Sequence, residues 1–217
     1  MVPDPYLIPG SDTLRNLPGF TDAAKLREYE YHLTVLRRVE LDAHPIGGHH
    51  DLAHLQAIHH HLFQDMYDWA GQVRTVNIVK GNTPFAYAHA LIPAATDLFD
   101  QLARENRLEG LDHPTFVDRA AYYLGELNAL HPFRDGNGRT QQTFIADLAS
   151  RGGWHIDWDP ITAEQNIAAS IASFGGDKTA FVGLLTTITT PLAAGVDPRP
   201  LRFVPNPKPS ASRRPRR

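Results

Sequence analysis

The chain contains no cysteine. Disulfides and thiolate chemistry are therefore excluded, and the composition suits a reducing, cytoplasmic setting. No apolar run approaches the roughly 20 residues that a membrane-spanning helix needs, so the expectation is no membrane partner. The stretch Met1 to Gly10 lacks a basic start followed by an apolar run, so no secretion signal is read there. Positive charge is scarce too, once its location is considered. Five of the 21 Lys and Arg residues fall in 205–217, where there is no acid, leaving 16 against 24 acidic residues elsewhere, a net charge of −8. An acidic body makes nucleic acid a poor candidate for a specific ligand. The basic tail, 205–217, has no hydrophobic anchors and is expected to be disordered. It reads as a solvated end, with a signal for translocation into another cell as the alternative.

What is present is ordinary for a globular protein: 217 residues, 42% hydrophobic and 21% charged, enough for one well-buried domain, assigned to 1–204. Most segments carry helical spacing. Leu52, Leu55, Ile58, Leu62, Met66 and Trp69 recur at steps of three and four. So do Leu26, Tyr29, Leu33 and Leu36 behind a cap at Thr21 or Asp22, and Leu91, Ala95, Leu98 and Leu102. Phe116, Ala120, Leu124, Leu127 and Leu130 form a further stripe. Thr162 and Gln165 stand in capping-box spacing before Ile167, Ile171 and Phe174, and Phe181, Leu184 and Ile188 follow. The fold class is all-α. One segment breaks the rhythm: Arg74 to Lys80 is rich in β-branched residues, Gly81 to Pro84 is turn-forming, and Phe85 to Tyr87 can return. A lone hairpin must pack on the helices or be completed by a partner, such as an extended target segment adding a strand.

Chemistry concentrates in His131-Pro132-Phe133-Arg134-Asp135-Gly136-Asn137-Gly138-Arg139. Pro132 disfavours helix at His131, so the preceding helix should end there. Gly136 and Gly138 admit unusual backbone shapes and close approach of a ligand. The loop feeds a new helix N-terminus, which attracts phosphate. His131 is suited to take a proton from a hydroxyl at neutral pH. Asp135 offers the hard oxygen that Mg²⁺ prefers, and Asn137, the loop amides and Arg139 are donors for phosphate oxygens.

The stretch resembles the signature of the Fic family, HPF-x-[D/E]-GNGR-x-x-R, and the likeness extends through "IHHHLFQDMYDWAGQVRTV", "KGNTPF" and "ELNALHPF", over about residues 20–190. The resemblance implies a Fic-type helical domain with a β-hairpin flap beside the active-site loop. It also implies transfer of AMP from ATP, with Mg²⁺, to a Tyr, Thr or Ser hydroxyl of a target protein, in a bacterial toxin module. His131 then matches the general base, Asp135 the Mg²⁺ ligand, and Gly136, Asn137 and Gly138 the anion hole. Arg139 matches the first phosphate-binding arginine, Lys80 and Gly81 the flap, and Asn106 a nucleoside contact. The second arginine of the signature is Gln142 here, which brings no charge to the γ-phosphate. A built-in inhibitory helix, [S/T]-x-x-x-E-[G/N], is not found, which points to control by a separate antitoxin or to loss of that control. Phosphate transfer of the death-on-curing type is the first alternative, although that branch has Lys where Gly138 stands. A degenerate scaffold that binds nucleotide without efficient transfer is the second.

Two other features are set against plainer readings. His49, His50, His54, His59, His60 and His61 invite a metal, but without a clear carboxylate or third-ligand pattern they are read as the polar face of a one-stripe helix. Trp69, Trp154 and Trp158 are read as core or pocket walls.

Overall fold

The computed structural model describes residues 4–81 and 83–193. The 205–217 tail lies outside them. Among the described residues there are seven α-helices and two small two-stranded antiparallel sheets. No described helix is long and apolar enough to cross a membrane.

The centre is a pair of helices flanking the glycine-rich loop. Helix α4 (His113–Leu130) starts behind the Asp112 cap, whose carboxylate accepts from Thr115 N at 3.0 Å. Its stripe of Phe116, Ala120, Leu124, Leu127 and Leu130 is buried as the spacing predicts. Helix α5 (Asn137–Arg151) buries Phe144, Ile145 and Leu148, and its Gln141 side chain donates to the Leu127 carbonyl of α4 at 3.0 Å. Helix α2 (Leu52–Phe63) packs on α5 with Leu55, Ile58 and Leu62. It stops earlier than the apolar spacing suggests: Met66 and Trp69 are buried from turns beyond it. Helix α3 (Leu91–Arg104) buries Leu91, Ala95, Leu98 and Leu102. Helix α6 (Ala163–Phe174) opens with the Thr162–Gln165 capping box, and α7 (Thr179–Ile188) buries Phe181 and Ile188.

Helix α1 (Ala23–Ala43), capped by Asp22, corrects the sequence reading. Tyr29 and Leu36 of the predicted stripe are exposed, and the buried face is Leu26, Glu30, Thr34 and Leu41. The polar pair goes inward because it has partners there, as described below.

The hairpin is shorter than expected. Strands β1 (Val79–Lys80) and β2 (Thr83–Pro84) pair Val79 with Pro84 and Lys80 with Thr83. Residues 74–78 are not a strand because Arg74 uses that segment differently. Its side chain is 2% exposed. The guanidinium donates to the carbonyls of His131 (2.8 Å), Val76 (2.6 Å), Ala86 (2.6 Å) and Leu130 (3.2 Å). The backbone of the same residue donates to Pro132 O at 2.9 Å. One cation thus ties both sides of the flap to the end of α4. Strands β3 (Trp154–Ile156) and β4 (Thr189–Pro191) form the second sheet, which the sequence did not signal.

Replacing Arg74 with Met would strand four carbonyls. Hydrogen bonds to a charged group are each worth about 1.5–3 kcal/mol. Arg74→Met is expected to lose at least about 3 kcal/mol of stability by urea unfolding at unchanged m-value. Arg74→Lys should recover less than half, because one ammonium cannot span the four acceptors. An unfolding free energy for Arg74→Met within about 0.5 kcal/mol of the parent would show that these carbonyls find other donors.

Candidate active site

Helix α4 ends at His131, which takes left-handed dihedrals (φ 47°, ψ 60°) while its N–H still bonds Leu127 O at 3.0 Å. The Pro132 ring behind it forbids another helical turn. The imidazole is buried and stacks on Phe85 at 3.9 Å between centroids. Its Nδ1 has no hydrogen-bond partner. Burial, and after it the positive charge of Lys80, pushes the ring's pKa down to about 3. In these surroundings the imidazole is neutral at any physiological pH, with a lone pair able to accept a proton.

The turn that follows is locked from beneath. His59, fully buried, accepts from Gly71 N at 2.8 Å through Nδ1 and donates to Asp135 O at 3.0 Å through Nε2, and its ring stacks on Phe133 at 3.9 Å. Desolvation pushes its pKa down to about 3, so it serves in the neutral tautomer that both bonds require. Asp135 Oδ1 accepts from Gly136 N at 2.6 Å. Gly136 adopts φ +77°, and a Cβ there would collide with the Phe63 ring. Gly138 is different. Its φ is not in the left-handed region and a Cβ would meet nothing within 4 Å. The backbone freedom expected of both glycines is needed only at Gly136, and Gly138 leaves room for a ligand.

Asn137 also departs from its expected use. It is 3% exposed, and its amide accepts from Phe133 N (2.9 Å) and donates to Phe133 O (2.8 Å). The side chain staples the turn rather than donating to a phosphate. Arg139 does reach the site. Its guanidinium pairs with Glu30, lies 3.3 Å from Thr34 Oγ1 and sits over the Phe63 ring at 4.8 Å. Glu30 in turn accepts from the Tyr67 hydroxyl, whose pKa burial and Glu30 push up. Glu30, Thr34 and Tyr67 escaped the sequence reading. A four-residue step from Leu26 through Glu30 to Thr34 was the available signal.

Two adjoining cavities result. One, of about 350 Å³, is lined by Asp135 to Arg139, Gln142 and Lys80. The other, of about 470 Å³, is lined by His131, Phe85, Gly81 and the α6 residues Ile167, Ile171 and Phe174. Lys80, Gly138 and Asn166 border both. The α6 residues Ile167 and Ile171, read as a helix stripe, are exposed and serve as a cavity wall instead. Asn106 is not brought here. It sits with φ 52° in a 3-10 turn after α3, a segment tied to the His49 carbonyl through Arg107, and lines neither cavity.

An anion-binding helix start and a hard carboxylate on one cavity, with a buried neutral imidazole on the cavity adjoining it, are the parts that nucleotidyl or phosphoryl transfer needs. The chain belongs to the Fic/DOC family, whose sequence pattern matches residues 49–149. It is 46% identical over 175 residues to the protein adenylyltransferase VbhT of Bartonella schoenbuchensis, covering 81% of this chain but 37% of that protein. It is 36% identical to the probable protein adenylyltransferase Fic of Escherichia coli, covering 86% of this chain and 92% of that one. In fold it is similar to the ADP-bound N-terminal Fic domain of a VirB-translocated Bep effector from Bartonella quintana. The TM-score is 0.80 at 32% identity, over 86% of this chain and 95% of that one. The AMPPNP-bound BepC of Bartonella tribocorum gives 0.80 at 30% identity, over 87% and 97% of the two chains.

The two loop glycines separate folding from binding. Gly136→Ala meets both a left-handed backbone and the Phe63 ring and should cost more than about 2 kcal/mol. Gly138→Ala should leave stability unchanged or raise it by up to about 1 kcal/mol, as in other helices. Its methyl group should nevertheless weaken nucleotide binding by tenfold or more, about 1.4 kcal/mol. Thermal melts and calorimetry with a nucleotide check both, and equal behaviour of the two variants would contradict the assignment.

Proposed function

We propose that the chain is a protein adenylyltransferase that transfers AMP from ATP to a hydroxyl side chain of a target protein. The observation that carries this is the meeting of the two cavities at Gly138, where the His131 side borders the phosphate-binding turn. The target oxygen attacks the α-phosphorus, its proton passes to His131, and pyrophosphate leaves. Burial and Lys80 by themselves leave His131 a weak base. The negative charge of bound nucleotide offsets Lys80 and raises the imidazole pKa toward the range useful for catalysis. Arg139 and the free N–H groups at the start of α5 hold phosphate oxygens.

Asp135 suits Mg²⁺: it is an oxygen ligand lining the phosphate cavity, and its Oδ2 accepts no hydrogen bond from a described residue. The metal would supply charge neutralisation on the phosphates. Lys80 and Gly81 stand at the mouth, and their short hairpin leaves an edge on which an extended target segment can add main-chain bonds. Control by a separate antitoxin fits the missing inhibitory motif. The relatives named as VirB-translocated give the basic 205–217 segment a reading as a passage signal.

Incubation of target-containing lysate with α-labelled or γ-labelled ATP distinguishes the chemistries. Label is expected on protein from the α position only. Label from the γ position would indicate phosphotransfer, and label from neither a nucleotide-binding scaffold. His131→Ala should lower transfer by about 10²–10⁴-fold with little change in nucleotide affinity, and wild-type rates in that variant would remove His131 from the mechanism.

Gln142 lines the phosphate cavity as a neutral residue. Gln142→Arg adds charge-assisted bonds worth about 1–2 kcal/mol and should strengthen ATP binding by several-fold to about 30-fold. ADP affinity should barely move. Equal gains for both nucleotides in calorimetry would show that position 142 does not read the γ-phosphate.

A further inference from the structure

On the flank of α5 away from the phosphate turn, the histidines that read as a polar helix face are not one. His50 and His54 are 2% and 3% exposed. The carboxylate missing from the local sequence arrives from Asp147, 97 residues beyond His50. One ligand atom from each of His50, His54 and Asp147 lies within 4.8 Å of the others. His50 Nε2 is 2.9 Å and His54 Nε2 4.0 Å from Asp147 Oδ2. Tetrahedral ligands on Zn²⁺ at ordinary bond lengths are about 3.3 Å apart, so the two observed separations bracket the required one.

Two further observations point the same way. The backbone is shaped around them: His50 takes φ 50°, and a side chain at Gly48 would collide with the His54 ring. The cluster also opens on a cavity of its own, about 390 Å³, bordered by His54 and Asp147 and by Asp42, Asp157 and Asp159, with Arg38 as the opposing charge. An acidic mouth favours a cation.

We propose that His50, His54 and Asp147 bind one divalent transition-metal ion of the Zn²⁺ class, its fourth position facing this cavity. Two imidazoles and one carboxylate suit Zn²⁺ or Co²⁺ and not the oxygen-seeking Mg²⁺. The ion takes over the hydrogen bond that His54 Nε2 now makes to Ile46 O at 3.0 Å. It joins the first turn of α2, and His50 just before it, to α5 at a point ten residues, about 15 Å, along the helix that begins in the phosphate turn. Its role is to brace the element carrying the nucleotide site, not to take part in transfer.

The test uses the full chain without a histidine tag, stripped by chelator and held in excess Mg²⁺ so that Asp135 does not compete. Zn²⁺ titration by calorimetry should show one ion per chain, and Zn²⁺ should raise the melting temperature. Co²⁺ should give the visible absorption bands of a four-coordinate site. Asp147→Asn and His50→Gln should each weaken binding by at least about 10–100-fold, the range seen when even an outer partner of a ligand is lost. His60→Gln, altering an exposed histidine of the same run, should not. Metal-free melts identify which of the two ligand variants folds like the parent, and that one decides. No Co²⁺ bands in the wild type, or stoichiometric Zn²⁺ uptake that survives the ligand substitutions, would overturn the proposal.

Discussion

The active site rests on one buried cation. Arg74 sits among four carbonyl oxygens drawn from both sides of the flap and from the last residues of α4. A guanidinium is suited to this because its donors lie in one plane and fan outward. Desolvation pushes its pKa down, and the carbonyls, not a carboxylate, offset that penalty. Without it the flap would have only its two residue pairs, too few for a free hairpin to persist. With it, Lys80 and Phe85 are held beside His131, and the base is shielded by an aromatic ring on one side.

From that frame the electrostatics of the site follow. The cavity is lined by Lys80, Arg139 and the first residues of α5, set against Asp135. The imidazole beside Lys80 is neutral, and an anion in the cavity would oppose that positive charge and raise its pKa. His59 does the equivalent mechanical work below the loop: buried and neutral, it uses both nitrogens to hold Asp135 and Gly71 in place. Asn137 completes the lock from within the turn. His59 and Asn137, which a sequence reader assigns to solvent and to a ligand, thus shape the backbone around the cavity.

The sequence made legible what is local. The α4 stripe from Phe116 to Leu130, the cap at Asp22 and the capping box at Thr162 are set by neighbours within a turn or two, and all are present. The signature loop was readable because its residues are contiguous. What stayed hidden depends on distant pairings. Glu30 goes inside because Arg139, 109 residues away, meets it there. Arg74 looked like the start of a strand because its acceptors at 130 and 131 are far along the chain. His50 and His54 looked solvated because Asp147 was not in view. The β3–β4 pair joins segments more than 30 residues apart, too short to signal alone. Asn106 was placed by a weak local pattern, and the fold carries it to a 3-10 turn near the C-terminal end of α5, away from both cavities.

The Glu30–Arg139 pair has a consequence for the speed of encounter. A free arginine side chain samples many rotamers, and immobilising one costs about 2 kcal/mol. Here a carboxylate on α1, with Thr34 beside it, keeps the guanidinium extended over the Phe63 ring before any nucleotide is present. Glu30 engages one terminal nitrogen and Thr34 the other, and a guanidinium has five N–H donors in all, so some remain for phosphate. Any anion that enters the cavity meets a guanidinium already held in place. The ordering cost was met when α1 folded onto the core, so the first helix of the chain sets the posture of a side chain that lines the cavity at the start of α5.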